Sequence, residues 1–211
     1  MNGILRRRRL TMMKATESGL PSSYQQVEWI ESNVGPAIDT GRYAKLSTKI
    51  ECGMQRPGTY GGSGYPSLFG CINPTLSLSI QNGGTNAYVT FGNSGEKSMT
   101  NMFFGSIHDV VVDKTGVQYD GITKATYSAT TLVENQDIHI AIFGRYKGGA
   151  DFYAGVHARC SYFKIYEDGI LVRDLVPCYR KSDNEIGMYD LVEGEFLTNC
   201  NTGAFTKGAD I

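Results

Sequence analysis

Two β-hairpins are spelled out in the last quarter of the chain. SYFKIY (161–166) and ILVRDLV (170–176) flank the turn Glu167-Asp168-Gly169, and GMYDLV (187–192) and EFLTN (195–199) flank Glu193-Gly194. Apolar and polar residues alternate on both sides of these turns, and Asp-Gly supplies the positive φ angles that a tight hairpin turn requires. Antiparallel strands of this kind must bury one face, so the chain is constrained to pack sheet against sheet.

The rest of the chain repeats the pattern. KLSTKIECGMQ (45–55) places Thr48, Ile50, Cys52 and Met54 on one side. DIHIAIFGRY does the same with Ile138, Ile140 and Ile142, and YQQVEWIES reads as a strand with Val27 and Trp29 on a shared face. SLFGCI, LSLSIQ and NAYVTFG are short strands parted by Asn-Pro and Asn-Gly-Gly, and HDVVVDKTGVQYDGI turns at Asp113–Gly116. About a dozen strands, with turn signals every 8–12 residues, predict an all-β sandwich. With 26 glycines, 13 tyrosines and 9 phenylalanines, the composition suits short strands and tight turns. A helical turn or two is expected only around Leu10–Glu17, and no 20–50-residue repeat is visible.

Charge divides the chain unevenly. Residues 1–16 hold Arg6, Arg7, Arg8, Arg9 and Lys14 and no acid, a charge of +5; the remaining 15 basic and 21 acidic side chains give −6. Residues 1–19 therefore read as a basic arm on a sandwich domain of residues 20–211. Leu5, Leu10, Met12 and Met13 put an apolar edge beside the arginines, as in a disordered tail or in an anchor held by an acidic or grooved partner. An acidic body argues against specific nucleic-acid binding. No apolar run approaches the ~18 residues of a membrane span, and LTMMKATESG is too polar for a secretory core. Five widely spaced cysteines fit free, mostly buried thiols made in a reducing cytosol, with disulfides left open if the protein is released.

Catalytic signatures are missing. GGSGY lacks the last glycine of a nucleophile elbow, and no phosphate loop occurs. His108, His139 and His157 are far apart in the chain; His157 and Cys160, three apart on a strand, fall on opposite faces and cannot share a metal. No Glu-x-Asp-x-x-Glu run supplies the paired carboxylates of a sandwich-fold glycosidase. Asp183 and Glu185 fall in a polar turn; Arg173 and Asp174 point to opposite faces and each needs its own partner, the arginine as a structural group at the sheet end. The expectation is a non-enzyme without a metal. Calcium, held by turn aspartates such as Asp39, Asp120 and Asp168, is the one weak cofactor alternative. A ligand loop is expected in the Gly-rich stretch 56–67, with Tyr60 and Tyr65 stacking on a sugar and Asn73 and Asn82 binding its hydroxyls.

LPSSYQQVEWIES (20–32), AIDTG (37–41), HDVVVDKTGVQYDG (108–121), SYFKIYEDGILVRDLVPCYR (161–180) and GMYDLVEGEFLTNCNTGAF (187–205) together resemble the concanavalin A-like, laminin-G-type jelly-roll domains of phage and prophage virion proteins from Gram-positive bacteria. RRRRLTMMK also resembles the basic starts of small virion proteins. The resemblance implies a jelly-roll β-sandwich and no catalytic set. It implies a virion protein, assembled in the host cytoplasm and carried on a head or tail. Arg6, Arg7, Arg8, Arg9, Leu10, Met12 and Met13 would anchor it to other virion proteins. Many copies would then display it for weak binding to host-surface glycan. A bacterial surface or secreted carbohydrate-binding module is the alternative, and a glycoside hydrolase comes third.

Overall fold

The computed structural model describes residues 19–57, 66–72, 77–83, 86–100, 102, 105–146, 152–154 and 156–211. Its strands run β1 Tyr24–Gln26, β2 Ile30–Asn33, β3 Ile38–Tyr43, β4 Lys49–Gln55, β5 Ser67–Ile72, β6 Ser77–Gly83 and β7 Asn86–Gly92. They continue as β8 Lys97–Thr100, β9 His108–Asp113, β10 Gly116–Tyr119, β11 Ile122–Thr126, β12 His139–Ile142, β13 Gly144–Tyr146 and β14 Phe152–Ala154. The last five are β15 His157–Glu167, β16 Ile170–Arg180, β17 Ile186–Asp190, β18 Glu195–Leu197 and β19 Thr206–Lys207. No helix occurs among the described residues, and none of their segments could cross a membrane as a helix.

Two sheets pack as a β-sandwich of the jelly-roll kind. The larger runs β11-β10-β9-β4-β15-β16-β17-β18, with β1, β2 and β19 added on; the smaller runs β14-β13-β5-β6-β7-β8, with β12 joining β5 to β3. Between them lies one core to which both contribute: Ile50, Cys52, Met54, Val110, Phe163 and Ile165 from the larger, and Phe69, Leu78, Ile80, Val89 and Phe91 from the smaller. The Phe69 and Phe163 rings meet edge to face across the interface, 5.3 Å apart.

Alternation assigns the inward faces as expected: Thr48, Ile50, Cys52 and Met54 are all buried, as are Ile138, Ile140 and Ile142. The first turn forms where Asp-Gly demands it. Glu167 pairs with Ile170 across Asp168 (φ 51°) and Gly169 (φ 78°), a two-residue turn with both φ positive. In the second hairpin the strand ends at Asp190, which pairs with Glu195, so Leu191 and Val192, expected in the strand, join Glu193 and Gly194 (φ 75°) in a four-residue turn.

Strand count differs from expectation: the described residues form 19 strands rather than about a dozen. Long segments change partner and break. The YQQVEWIES strand is the clearest case, because β1 pairs with β16 and β2 with β15, filling the fork where those two strands diverge. The break at Val27–Trp29 separates residues expected to share a face. Val27 is fully buried, whereas the Trp29 ring lies 4.0 Å from the Arg159 guanidinium.

Arg173 and Asp174 do point apart. Buried Arg173 binds Asp190 at 2.6 Å and the Thr40 carbonyl at 3.0 Å, while Asp174 pairs with Lys164 at 3.1 Å. His157 bonds Glu31 at 2.7 Å on the outer face, and Cys160 is buried in the core behind it.

Candidate functional site

Three neighbouring strands at the free edge of the larger sheet, β9, β10 and β11, form a concavity on the outer face. Val110, Val112, Val117 and Tyr119 of this ribbon face the core. The opposite parity is therefore aimed at solvent, in two rows: Val111–Gln118–Thr123 and Asp113–Gly116–Thr126. The ladder slips between Val117 and Gln118, so Lys124 is an extra, unpaired residue in β11. This bulge lets Thr123 and Thr126 face the same side although three positions separate them.

The result is a cup of about 230 Å³ lined by Val111, Asp113, Thr115, Gly116, Val117, Gln118, Thr123 and Thr126. Gly116 keeps the floor low, since a Cβ there would strike the Ala125 carbonyl. Asp113 Oδ1 accepts the Thr115 N–H and hydroxyl, each at 2.6 Å, which fixes the carboxylate at the rim. An amide, three hydroxyls and one carboxylate around an aliphatic floor both donate and accept hydrogen bonds. The volume lies below the 300–1,000 Å³ of drug-sized pockets and suits a single small ring.

Other polar groups are spent within the fold. A second concavity, about 290 Å³, is lined by Asn184, Glu185, Ile186, Asn199, Gly203, Ala204 and Phe205. Its Asn199 amide accepts from Ala37 and Asn201 and donates to the Asn201 and Gly203 carbonyls, so it ties loops together. Along the outer face of the larger sheet the polar groups pair row by row: Lys49 with Glu51, the Tyr162 hydroxyl with Asp109, Lys164 with Asp174, and Arg159 with Glu31.

Asp39 lies within β3 rather than in a turn, because Ile38–Tyr43 pairs with β12. Its carboxylate takes the Gly41 N–H at 2.8 Å, His139 Nδ1 at 3.0 Å and the Tyr146 hydroxyl at 3.2 Å. Burial, aided by the carboxylate, pushes the Tyr146 phenol up. This cluster locks β3 to β12 and β13.

At the far end of the β9–β11 ribbon a second polar group assembles. His108 Nδ1 lies 2.7 Å from Asp120 Oδ2, and His108 Nε2 lies 3.4 Å from Ser106 Oγ. Asp120 Oδ1 accepts the Asp109 N–H at 3.0 Å, and the hydrogen bond from His108 holds this carboxyl below its ordinary range. The imidazole stacks on Tyr119 with centroids 4.6 Å apart.

The suggested calcium ligands do not converge. Asp39 and Asp120 are engaged as above, and Asp168 occupies a positive-φ turn position on another hairpin. No group of three or more His, Cys, Asp and Glu side chains among the described residues is placed to hold a metal. The expected anchor residues Arg6, Arg7, Arg8, Arg9, Leu10, Met12 and Met13 lie outside the described residues, as do Tyr60, Tyr65 and Asn73; Asn82 is in β6, opposite Ala87, with its side chain outside them. The chain enters β5 at Ser67, opposite Gln81, and leaves it at Ile72, opposite Ser77.

Neither the cup nor the histidine cluster was identified from the sequence. Thr-x-x-Thr has no meaning on a regular strand, and only the bulge, fixed by pairing with β10, brings those hydroxyls together. For the second group, Ser-x-His followed by an Asp-Gly turn was the available signal.

No protein-family model matches the chain, and no curated protein matches it. Among solved structures, it is similar to a candidate carbohydrate-binding protein from Bacteroides ovatus ATCC 8483, with a TM-score of 0.56 and 13% identity. The match covers 88% of this chain and 62% of that one, so the chain spans less than two thirds of its neighbour's length. A likeness at this identity shows the shared sandwich fold.

Proposed function

We propose that this chain is a carbohydrate-binding β-sandwich whose cup on β9–β11 takes one neutral sugar ring. The observation that carries the reading is the cup's lining: a carboxylate, an amide and three hydroxyls around Val111 and Gly116. Such groups match vicinal hydroxyls, which each donate and accept. The carbohydrate-binding description of the structural neighbour supports the same ligand class. Asp113 is the one carboxylate of the lining, whereas glycoside hydrolysis takes two flanking the bond. The cup therefore binds without cleaving glycosidic bonds.

With no aromatic ring in the lining, single-site affinity is low and function depends on many copies acting together. The basic arm suits attachment to a larger assembly. In the setting implied by the laminin-G-type resemblance, this is a phage particle displaying the domain toward host-surface glycan.

A glycan array probed with multimerised protein, followed by titration of the best ligand, tests the cup. Gln118→Ala should weaken binding about tenfold, the loss of one or two hydrogen bonds. Equal affinity of Gln118→Ala, Thr123→Val and the unaltered protein would remove the cup from the reading. Deleting residues 1–19 should abolish incorporation into particles while sparing glycan binding; normal incorporation would overturn the anchoring role.

A further inference from the structure

We propose that Ser106, His108 and Asp120 form a nucleophilic triad that hydrolyses small acyl esters, a catalytic site separate from the cup. The arrangement has the order that serine activation requires: carboxylate to Nδ1, and Nε2 to the hydroxyl. Asp120 Oδ2 sits 2.7 Å from His108 Nδ1, which in the neutral ring favours the proton on that nitrogen, and Nε2 lies 3.4 Å from Ser106 Oγ. Nucleophile–base distances of this looser kind are common before substrate arrives.

Each member is held by something other than the triad. The Asp120 carboxylate is oriented by the Asp109 N–H, and its backbone by the reciprocal bond from Asp120 N–H to the Asp109 carbonyl at 2.8 Å. Asp120 (φ 50°) and Gly121 (φ 74°) form the two-residue turn that brings β11 back beside β10, so the carboxylate is presented at a rigid hairpin end. The imidazole is steadied by its stack on Tyr119. Gly105 precedes the serine at φ 88°, and the Gln55 amide donates to its carbonyl, pinning the loop that carries Ser106.

Space selects the substrate. A Cβ built on Gly105 meets nothing within 4 Å, and Ser106 is exposed, so a carbonyl can approach the hydroxyl from solvent. Among the described residues nothing stands within 4 Å of the Cβ position at Gly105, and the class we assign is a short acyl group, such as an acetyl ester on an exposed hydroxyl.

The chemistry is the two-step acyl transfer. Ser106 Oγ bonds to the carbonyl carbon as its proton passes to His108 Nε2. The ester C–O bond then breaks, and the departing alcohol takes that proton. Water adds to the acyl-serine, giving its proton to Nε2; the serine–acyl bond breaks, Oγ recovers the proton, and the acid leaves. Ester and water become alcohol and acid.

The test uses the full-length protein with a fluorophosphonate probe, labelled residues being located by mass spectrometry, and with p-nitrophenyl acetate as substrate. The unaltered protein should be labelled at Ser106 in preference to other surface serines. Ser106→Ala should lose the label and the enzyme-dependent hydrolysis, and exposed Ser98→Ala should keep both. Asp120→Asn retains an oxygen for the Asp109 N–H but removes the charge behind the imidazole; labelling should slow by about a hundredfold or more. Unaltered melting curves for these variants exclude unfolding as the cause. Labelling of Ser106 no faster than of Ser98, or at a rate indifferent to Asp120→Asn, would overturn the proposal. Because the readout needs no sugar, failure here is distinguishable from failure of glycan binding at the cup.

Discussion

Replacing Asp190 should cost this domain more stability than any other single carboxylate in the C-terminal hairpins. Asp190 is wholly buried, and its partner Arg173 is only 7% exposed. One carboxylate oxygen accepts from the Arg173 guanidinium at 2.6 Å; the other accepts the backbone N–H groups of Asp174 at 2.9 Å and Val192 at 3.0 Å. Asp190→Ala leaves the guanidinium in the interior with only the exposed Glu195 carboxylate, 3.4 Å away, as counter-charge, at a cost of about 3–5 kcal/mol for breaking a buried pair. Asp190→Asn also loses the charge but keeps an oxygen for the two N–H groups, so it should be milder by about 1–2 kcal/mol. The contrasting control is Asp174, the residue directly after Arg173 in β16: it pairs with Lys164 on the outer face, where such a pair contributes about 0.2–1 kcal/mol. Urea denaturation at pH 7 reads all three. Thermal melts should agree, falling about 6–20 °C for Asp190→Ala at roughly 2–4 °C per kcal/mol in a domain of this size. If Asp190→Ala and Asp174→Ala destabilise alike, or Asn is as harmful as Ala at 190, the assignment of Arg173–Asp190 as an interior clamp is wrong.

Two further outcomes follow from the same faces of the sandwich. Burial alone would raise the Glu31 carboxyl, but hydrogen bonds from Arg159 and His157 outweigh it and hold the group below its ordinary value of 4.5. A depressed folded-state value contributes stability that is complete above the unfolded value and drains away as pH falls. Urea midpoints of the unaltered protein should therefore drop on acidification below about pH 4.5, and Glu31→Gln should flatten that drop; parallel pH profiles would refute the assignment. For the thiols, burial pushes Cys71 up to about 11 and Cys160 and Cys178 up to about 12, and raises Cys52 well above its ordinary value. Iodoacetamide at pH 8 should then modify exposed Cys200 alone in the folded protein and all five cysteines in guanidinium, as counted by intact mass; rapid native labelling of Cys52 or Cys160 would mean that the core opens there.

What the sequence shows well is whatever depends on near neighbours. Asp168-Gly169 dictates its turn because few dipeptides accept two positive φ angles. Thr48, Ile50, Cys52 and Met54 share a face because period-two alternation needs no knowledge of the partner strand. The same parity separates Arg173 from Asp174 and His157 from Cys160. Pairing partners distant in sequence are a different matter. Val27 and Trp29 part because β1 is claimed by Cys178–Arg180 and β2 by His157–Cys160, over a hundred residues away in the chain. Asp-Thr-Gly reads as a turn at Asp39, yet β12 recruits that residue into a strand. The cup is hidden for the same reason, since the bulge at Lys124 exists only in the register of β11 against β10.

That bulge also accounts for where the open polar groups lie. In the middle of the larger sheet every outward side chain has a neighbour on two sides, and β4, β15 and β16 use them to cancel charge: Lys49 with Glu51, Lys164 with Asp174. β11 ends the sheet, so its outward residues have a partner on one side only. An edge strand needs protection against pairing with another chain, and a bulge with a charged residue at it provides that. Lys124 is both the unpaired residue and the charge, and its ammonium turns back to lie 5.8 Å from the Tyr119 ring centre. The irregularity that blunts the edge thus aims Thr123 and Thr126 into the cup beside Gln118. The turn that ends the same hairpin holds Asp120 against His108. Edge protection, a hydroxyl-lined cup and an oriented imidazole are consequences of one short ribbon, and substitutions in β11 should therefore disturb ligand contacts more than they disturb the core.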